Sequence, residues 1–343
     1  MKRGEMVNST SNRIKVYFGV CMLICLSVFP FVNDSRSLLI LFTQIFIFAI
    51  FAMSFDVLLG YTGIVSFGHC MFFGIGAYGV ALLFDRQGVS ITNFLIGLVA
   101  AIFISAIVSY IIGLLSLRLK SHFYAMLTLA ISQLFFVLAE KWRGLTHGGD
   151  GFTFGVPDVF RDRFTFYYVT LICLLIIFVL LRLFTKSSIG KVLKAISQNE
   201  QRVEALGYKV LHYKIIASVV AGVVAAISGG LFVITLRFVN TTVFSIEMTL
   251  NALLMTMIGG VGTLIGAIAG AGIIESLKYY LSELATEYPI FERWTIILGV
   301  LYIIVLLVFP KGLVGTVKGL KNMKRNKKRK VQKWSKMCEK SIV

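Results

Sequence analysis

The chain has 343 residues, of which 57% are hydrophobic and only 15% charged, with a mean hydropathy of +0.86. A soluble domain carries about 25% charged residues because its surface meets water, and a disordered chain carries more, so both classes are excluded and a membrane protein remains. The 34 Lys and Arg against 16 Asp and Glu give +18, which in a lipid-embedded chain reports orientation before it suggests a nucleic-acid partner.

A membrane span needs roughly 20 apolar residues. Windows that meet or approach this lie at 14–32, 38–60, 71–84, 91–117, 122–139, 164–184, 213–236 and 294–309. The first lacks an A-x-A-like cleavage site and is expected to stay attached. The stretch 246–281 is too long for one helix and carries Gly259, Gly260 and Gly262 at its middle, with Gly266 beyond, so it is expected to break into two crossings or a hairpin. The expectation is an all-α, polytopic membrane helix bundle of about ten crossings with broken or re-entrant Gly-rich segments. Its parts are an arm at 1–13, a transmembrane domain at 14–310 with a loop at 185–212, and a basic tail at 311–343.

Charge tests the parity. The N-terminal arm has Lys2, Arg3, Arg13 and Lys15 against Glu5, and the segment 182–214 has seven basic residues against Glu200 and Glu204. The tail has twelve basic residues against Glu339, and the link at 118–120 adds Arg118 and Lys120. In the ten-crossing arrangement all four fall on one side, which the positive-inside rule makes cytoplasmic, together with both termini.

Chemistry follows in chain order. Gly60, Gly63, Gly68, Gly74, Gly76 and Gly79 fall within twenty residues, and each weakens a helix by about 1 kcal/mol relative to Ala. A helix broken there would expose backbone groups, tolerated at membrane depth only where protein or a water-filled path covers them. Gly60, Gly63, Ser66, Gly68, His69, Gly74 and Gly76 are therefore candidates for lining a solute path, with close helix packing the alternative. Gly74-x-Gly76-x-x-Gly79 matches a dinucleotide fingerprint in form only, without strand, acidic partner or βαβ setting, and the chain has no G-x-x-x-x-G-K-[ST] run. Asp56 is the only acidic residue well inside a window.

The loop 140–163 reads as a solvated outer loop with turn-forming glycines, and Asp150 as a candidate near the solute entrance. Between 187 and 207, Val192, Leu193, Ile196, Val203 and Leu206 recur at helical spacing among charges, which predicts short amphipathic helices and a docking surface. Gly222, Ala226 and Gly230, then Gly262, Gly266 and Gly270, form small-xxx-small packing faces. Glu247 and Glu275, near segment ends, are candidates for a proton relay. Cys21, Cys25, Cys70, Cys173 and Cys338 read as small hydrophobes, and no His or Cys spacing suits a metal.

The ordered motifs Gly60-Tyr61-Thr62-Gly63-Ile64-Val65-Ser66-Phe67-Gly68-His69, Phe73-Gly74-Ile75-Gly76-Ala77-Tyr78, Tyr124 to Ala130, Trp142 to Gly151, Gly190-Lys191 to Gly207 and Phe309-Pro310-Lys311-Gly312-Leu313 resemble the permease subunit of branched-chain amino-acid ABC importers. The resemblance runs from about Leu38 to Gly315. It implies an all-helical transport subunit of the bacterial plasma membrane, not an enzyme, that pairs with a second permease, two cytoplasmic ATPase subunits and an extracytoplasmic solute-binding protein. ATP and Mg would sit in the ATPase partners, with no cofactor in this chain. Asn199, Glu200, Glu204, Ala205 and Gly207 would belong to the coupling segment. Glu204-Ala205 with Gly207 echoes the importer motif, although the Gly comes closer than in the general pattern. A permease for urea, an amide or a sugar, or an ion-driven transporter, remains the alternative. Anionic lipid is a further expected partner, of the basic tail.

Overall fold

Apolar runs free of Pro and charge become helices because, away from water, only the i to i−4 ladder satisfies every backbone N–H and C=O. The computed structural model describes residues 26–31, 35–116, 121–287, and 296, 299, 300 and 303. The expected arm at 1–13, most of the window 14–32, the Arg118 to Lys120 link, almost all of 294–309, the tail at 311–343, and Cys21, Cys25 and Cys338 lie outside the described residues.

The long helices are α1 (Arg36–Thr62), α2 (Cys70–Gln87), α3 (Ile91–Ser116) and α4 (Ser121–Lys141). After the short α5 (Arg143–Thr146) and α6 (Asp158–Arg161) come α7 (Arg163–Lys186), α8 (Ser188–Gln198), α9 (Glu200–Ala205), α10 (Val210–Leu236), α11 (Ile246–Gly259) and α12 (Leu264–Glu287). Six of those described, α1, α3, α4, α7, α10 and α12, are long and apolar enough to cross a membrane. The fold is therefore a polytopic helical bundle. α2 and α11 are shorter; at 1.5 Å per residue the 14 residues of α11 reach about 21 Å, less than a hydrocarbon core of about 30 Å.

The core is centred on α1, whose Ile47, Ala49, Ile50, Phe51, Ala52 and Met53 are fully buried. α2 and α10 pack against it almost backbone to backbone: a Cβ at Gly76 would run into the Ala226 carbonyl, and one at Gly229 into the Phe73 carbonyl. Gly222 lies against Phe72 and Ser109, Gly230 against Leu98 and Val80, and Gly270 against the Met255 carbonyl, so both small-residue faces serve helix packing.

Three expectations need correction: the purely α chain, the place of Glu275 and the reading of Cys70. The loop 140–163 is ordered, with α5, a 3-10 turn at Gly148–Asp150, and a strand β1 (Phe152–Thr153) paired antiparallel with β2 (Phe238–Val239), a small exception to an all-α chain. The pairing occurs because both segments leave helix ends with free backbone groups that need partners. Arg86 donates to the Gly144 carbonyl at 3.3 Å, and His147 Nε2 lies 3.3 Å from Asp85 Oδ2, tying this cap to the end of α2. Glu275 sits not near a segment end but in the middle of α12, nearly buried and 2.9 Å from Lys278 Nζ, because the helix continues to Glu287. Cys70 is no mere small hydrophobe: its Sγ donates to the Phe244 carbonyl at 3.2 Å and lies 3.0 Å from Ser132 Oγ.

Candidate functional site

Two helix breaks define the site. α1 ends where Gly63, at φ 74°, turns the backbone into the left-handed region and its N–H returns to Leu58 and Leu59. Residues 63–69 are then non-helical, yet Ser66, His69 and Ile64 are buried. The second break lies between Gly259 and Leu264, where Gly260 and Gly262 take φ 118° and 75°. Glycine is required at such angles because a side chain there is strained.

The breaks meet. The Gly262 N–H donates to Asp56 Oδ1 at 2.7 Å, and a Cβ at Gly60 would strike both Asp56 and the Gly262 backbone. The carboxylate is fully buried, so it serves as a fixed acceptor for a backbone group that the break has released.

Side chains fill the first break. Ser54 Oγ donates to the Phe51 carbonyl at 2.6 Å, so it receives the proton of His69 Nε2 at 2.8 Å, and this fixes the histidine tautomer. The ring stacks on Phe51 and meets Phe55 and Phe72 edge-on. Tyr124 of α4 lies within hydrogen-bonding reach of Ser66 and Ser218, and Ser218 is 2.9 Å from Ser109. The Cys70 N–H donates to Thr249 Oγ1 at 2.9 Å, which anchors the start of α2 to α11. Gly68 abuts the Thr128 carbonyl of α4.

The candidate path residues thus divide. Gly60, Gly63, Ser66, Gly68 and His69 gather at the first break, with Gly259, Gly260, Gly262 and Gly266 at the second. Gly74 and Gly76 lie within unbroken α2, against Phe244 and Ala226, and Asp150 is exposed at the opposite end of the bundle. The sequence reading missed the Asp56–Gly262 and Ser54–His69 pairs. Asp56 carried a signal, as a lone acid in an apolar window; Ser54 carried none.

Beneath the first break lies the amphipathic loop. A Cβ at Gly63 would sit 3.4 Å from Ser197 of α8, so the loop rests on the turn itself. Leu193, Ile196 and Val203 are buried, as the spacing predicts. Ser187 caps α8, and Asn199 caps α9 by accepting the Arg202 N–H at 2.9 Å. Glu200 pairs with Lys214 of α10 at 2.6 Å. α9 closes on Gly207 at φ 87°, with the Tyr208 N–H returning to Val203. Glu204, Ala205 and Gly207 are exposed, as are Leu206 at 71% and Tyr208 at 44%. Leu206 and Tyr208 thus stand as an apolar knob among charges on a loop capped at both of its helices.

Residues 37–307 match the family model of the permease component of the branched-chain amino acid transport system. The high-affinity branched-chain amino acid transport system permease protein LivM of Salmonella typhimurium is 24% identical over 325 residues, covering 86% of this chain and 74% of that protein. LivM of Escherichia coli is similar at the same identity and coverage. The "Probable branched-chain amino acid transport permease protein LivM" of Methanocaldococcus jannaschii is 22% identical over 313 residues, covering 78% of this chain and 90% of that protein. No solved structure matches the chain.

Proposed function

The chain belongs to the permease family of branched-chain amino acid transport systems and is a multi-pass membrane transport subunit, and we propose that it works as one half of an ABC importer's membrane path. In this reading a second related permease completes the path, two cytoplasmic ATPase subunits hold ATP and Mg, and an extracytoplasmic binding protein delivers the hydrophobic amino acid. The chain spans a bacterial plasma membrane about ten times with both termini in the cytoplasm, where the loop at 185–212 and the basic tail at 311–343 also lie.

The observation that carries this reading is the seat of α8 on the Gly63 turn. Closure of the ATPase dimer would press on the knob at Ala205 and Leu206, with Glu204, Gln201 and Gly207 around it. The loop moves as a unit because Asn199 and Glu200 are engaged internally, one as a helix cap and the other in the Lys214 pair. Its motion reaches the first break through Ser197 and the second through the Asp56–Gly262 hydrogen bond. Broken helices in two parts of one bundle are where transporters expose backbone to a solute.

The test is Leu206→Glu in the assembled transporter in proteoliposomes. Leucine uptake driven by internal ATP is expected to fall at least about tenfold, with the two permeases still assembled, since one lost apolar contact of about 1.4 kcal/mol is already tenfold. Full uptake by this variant would remove the coupling role from the loop. Uptake by the permeases alone under a proton gradient would overturn the importer reading.

A further inference from the structure

We infer that α4 is a wall of the solute path and that Gln133 is the residue on it that contacts the amino acid, an inference that rests on the permease reading above. Among the described spans, α4 has the smallest share of its length buried. Its exposed residues between Phe123 and Leu138 are apolar except Gln133. That amide lies about 18 Å along the axis from Ser121 and about 12 Å from Lys141, too deep for its side chain to reach headgroups at either end. A carboxamide turned to hydrocarbon loses its hydrogen bonds, so intramembrane polar groups face protein or a watery cavity.

The other exposed faces show what lipid contact looks like in this molecule. On α3 the exposed residues from Leu95 to Ile107 are all apolar, and Ser105 and Ser109 turn inward. On α7 those from Ile172 to Leu180 are likewise apolar. Of these three described spans α4 alone departs from the pattern, and it departs on the helix whose inner face, through Tyr124, Thr128 and Ser132, closes the first break.

The chemistry of the face suits the solute. Met126, Ala130, Gln133 and Val137 recur at i, i+4, i+7 and i+11, a single stripe along the helix. Apolar side chains along it would accept an aliphatic side chain without binding it tightly. The Gln133 amide offers a donor to a carboxylate and an acceptor to an ammonium, both of which an amino acid presents.

The experiment uses the assembled transporter in liposomes, with wild-type ATP-driven leucine uptake measured first; its absence would count against the permease reading rather than against Gln133. Gln133→Cys and, as a lipid-facing reference, Ile104→Cys are treated with a charged, membrane-impermeant methanethiosulfonate. The expected result is modification at position 133, slowed at least about threefold by leucine, and none at position 104. Gln133→Leu is expected to raise the leucine KM about tenfold, the effect of one lost hydrogen bond, while Gln133→Asn keeps it within about threefold. Position 133 inert to the charged reagent but cross-linked to the second permease would make it a subunit contact. Reaction there only with a lipid-soluble reagent would make it lipid-facing. Either outcome overturns the inference.

Discussion

The two helix breaks meet at Asp56 and are built from different material. The first, at 63–69, is filled by side chains: His69 with Ser54, Ser66 with Tyr124, and the Cys70 N–H with Thr249. The second, at 260–263, is filled by backbone: Gly259 lies against the Gly266 carbonyl, and Gly262 binds the Asp56 carboxylate of α1, about two turns before the first break. A side-chain filling is divisible, since each hydrogen bond can be lost alone. A backbone filling is not, because one added Cβ displaces the whole neighbouring helix.

The sharpest way to break this comparison is Gly259→Val, whose side chain would collide with the Gly266 backbone. It is expected to abolish folded protein, read as monodisperse yield in detergent, whereas Ser66→Ala at the first break leaves most of it. Equal yields would mean that the second break is as adaptable as the first.

Next in size is Asp56→Ala. It leaves the half-buried Gly262 N–H without its acceptor, at a cost of about 2 kcal/mol in denaturant unfolding, while Asp56→Asn retains an acceptor and recovers more than half of that. If Asn proved as damaging as Ala, the negative charge rather than the acceptor would hold the breaks together.

Ser54→Ala probes the side-chain filling and is expected to cost about 1.5 kcal/mol by leaving His69 Nε2 without its partner. Thermal unfolding of the reconstituted permease measures it, and an unchanged midpoint would show that the pair holds nothing. Gly63→Ala then tests the turn: the left-handed angle costs about 1 kcal/mol, and the added Cβ meets only Ser197.

An equally small effect lies at the far end of the bundle, which serves as a control. Asp162 caps α7, and the Thr165 hydroxyl at 2.8 Å, with the Thr165 and Phe164 N–H groups, holds its carboxyl below the usual carboxylate range. A lowered folded-state value means that its stabilisation is present above the ordinary carboxylate pKa and is lost as pH falls through the lowered one. Asp162→Ala is expected to cost about 1 kcal/mol at pH 7 and to remove that part of the acid sensitivity, with neither break affected.

The sequence by itself determined the membrane class, the long described helices apart from the far end of α12, the neighbourhood of both breaks and the amphipathic loop. Those features are local, arising from apolar run length, glycine's freedom at positive φ and helical spacing, and each is legible without knowing what lies alongside. The tertiary structure decided what each glycine is for. Gly60 and Gly76 look alike in sequence, yet one abuts Gly262 and the other Ala226, and 201 or 149 intervening residues hide those partners. It also decided that Asp56 spans two breaks, that Ser197 sits under Gly63, and that Glu275 is paired mid-helix rather than wetted at an end. A buried polar group needs its partner placed to within a few tenths of an ångström, and only the packing of helices distant in sequence supplies that placement.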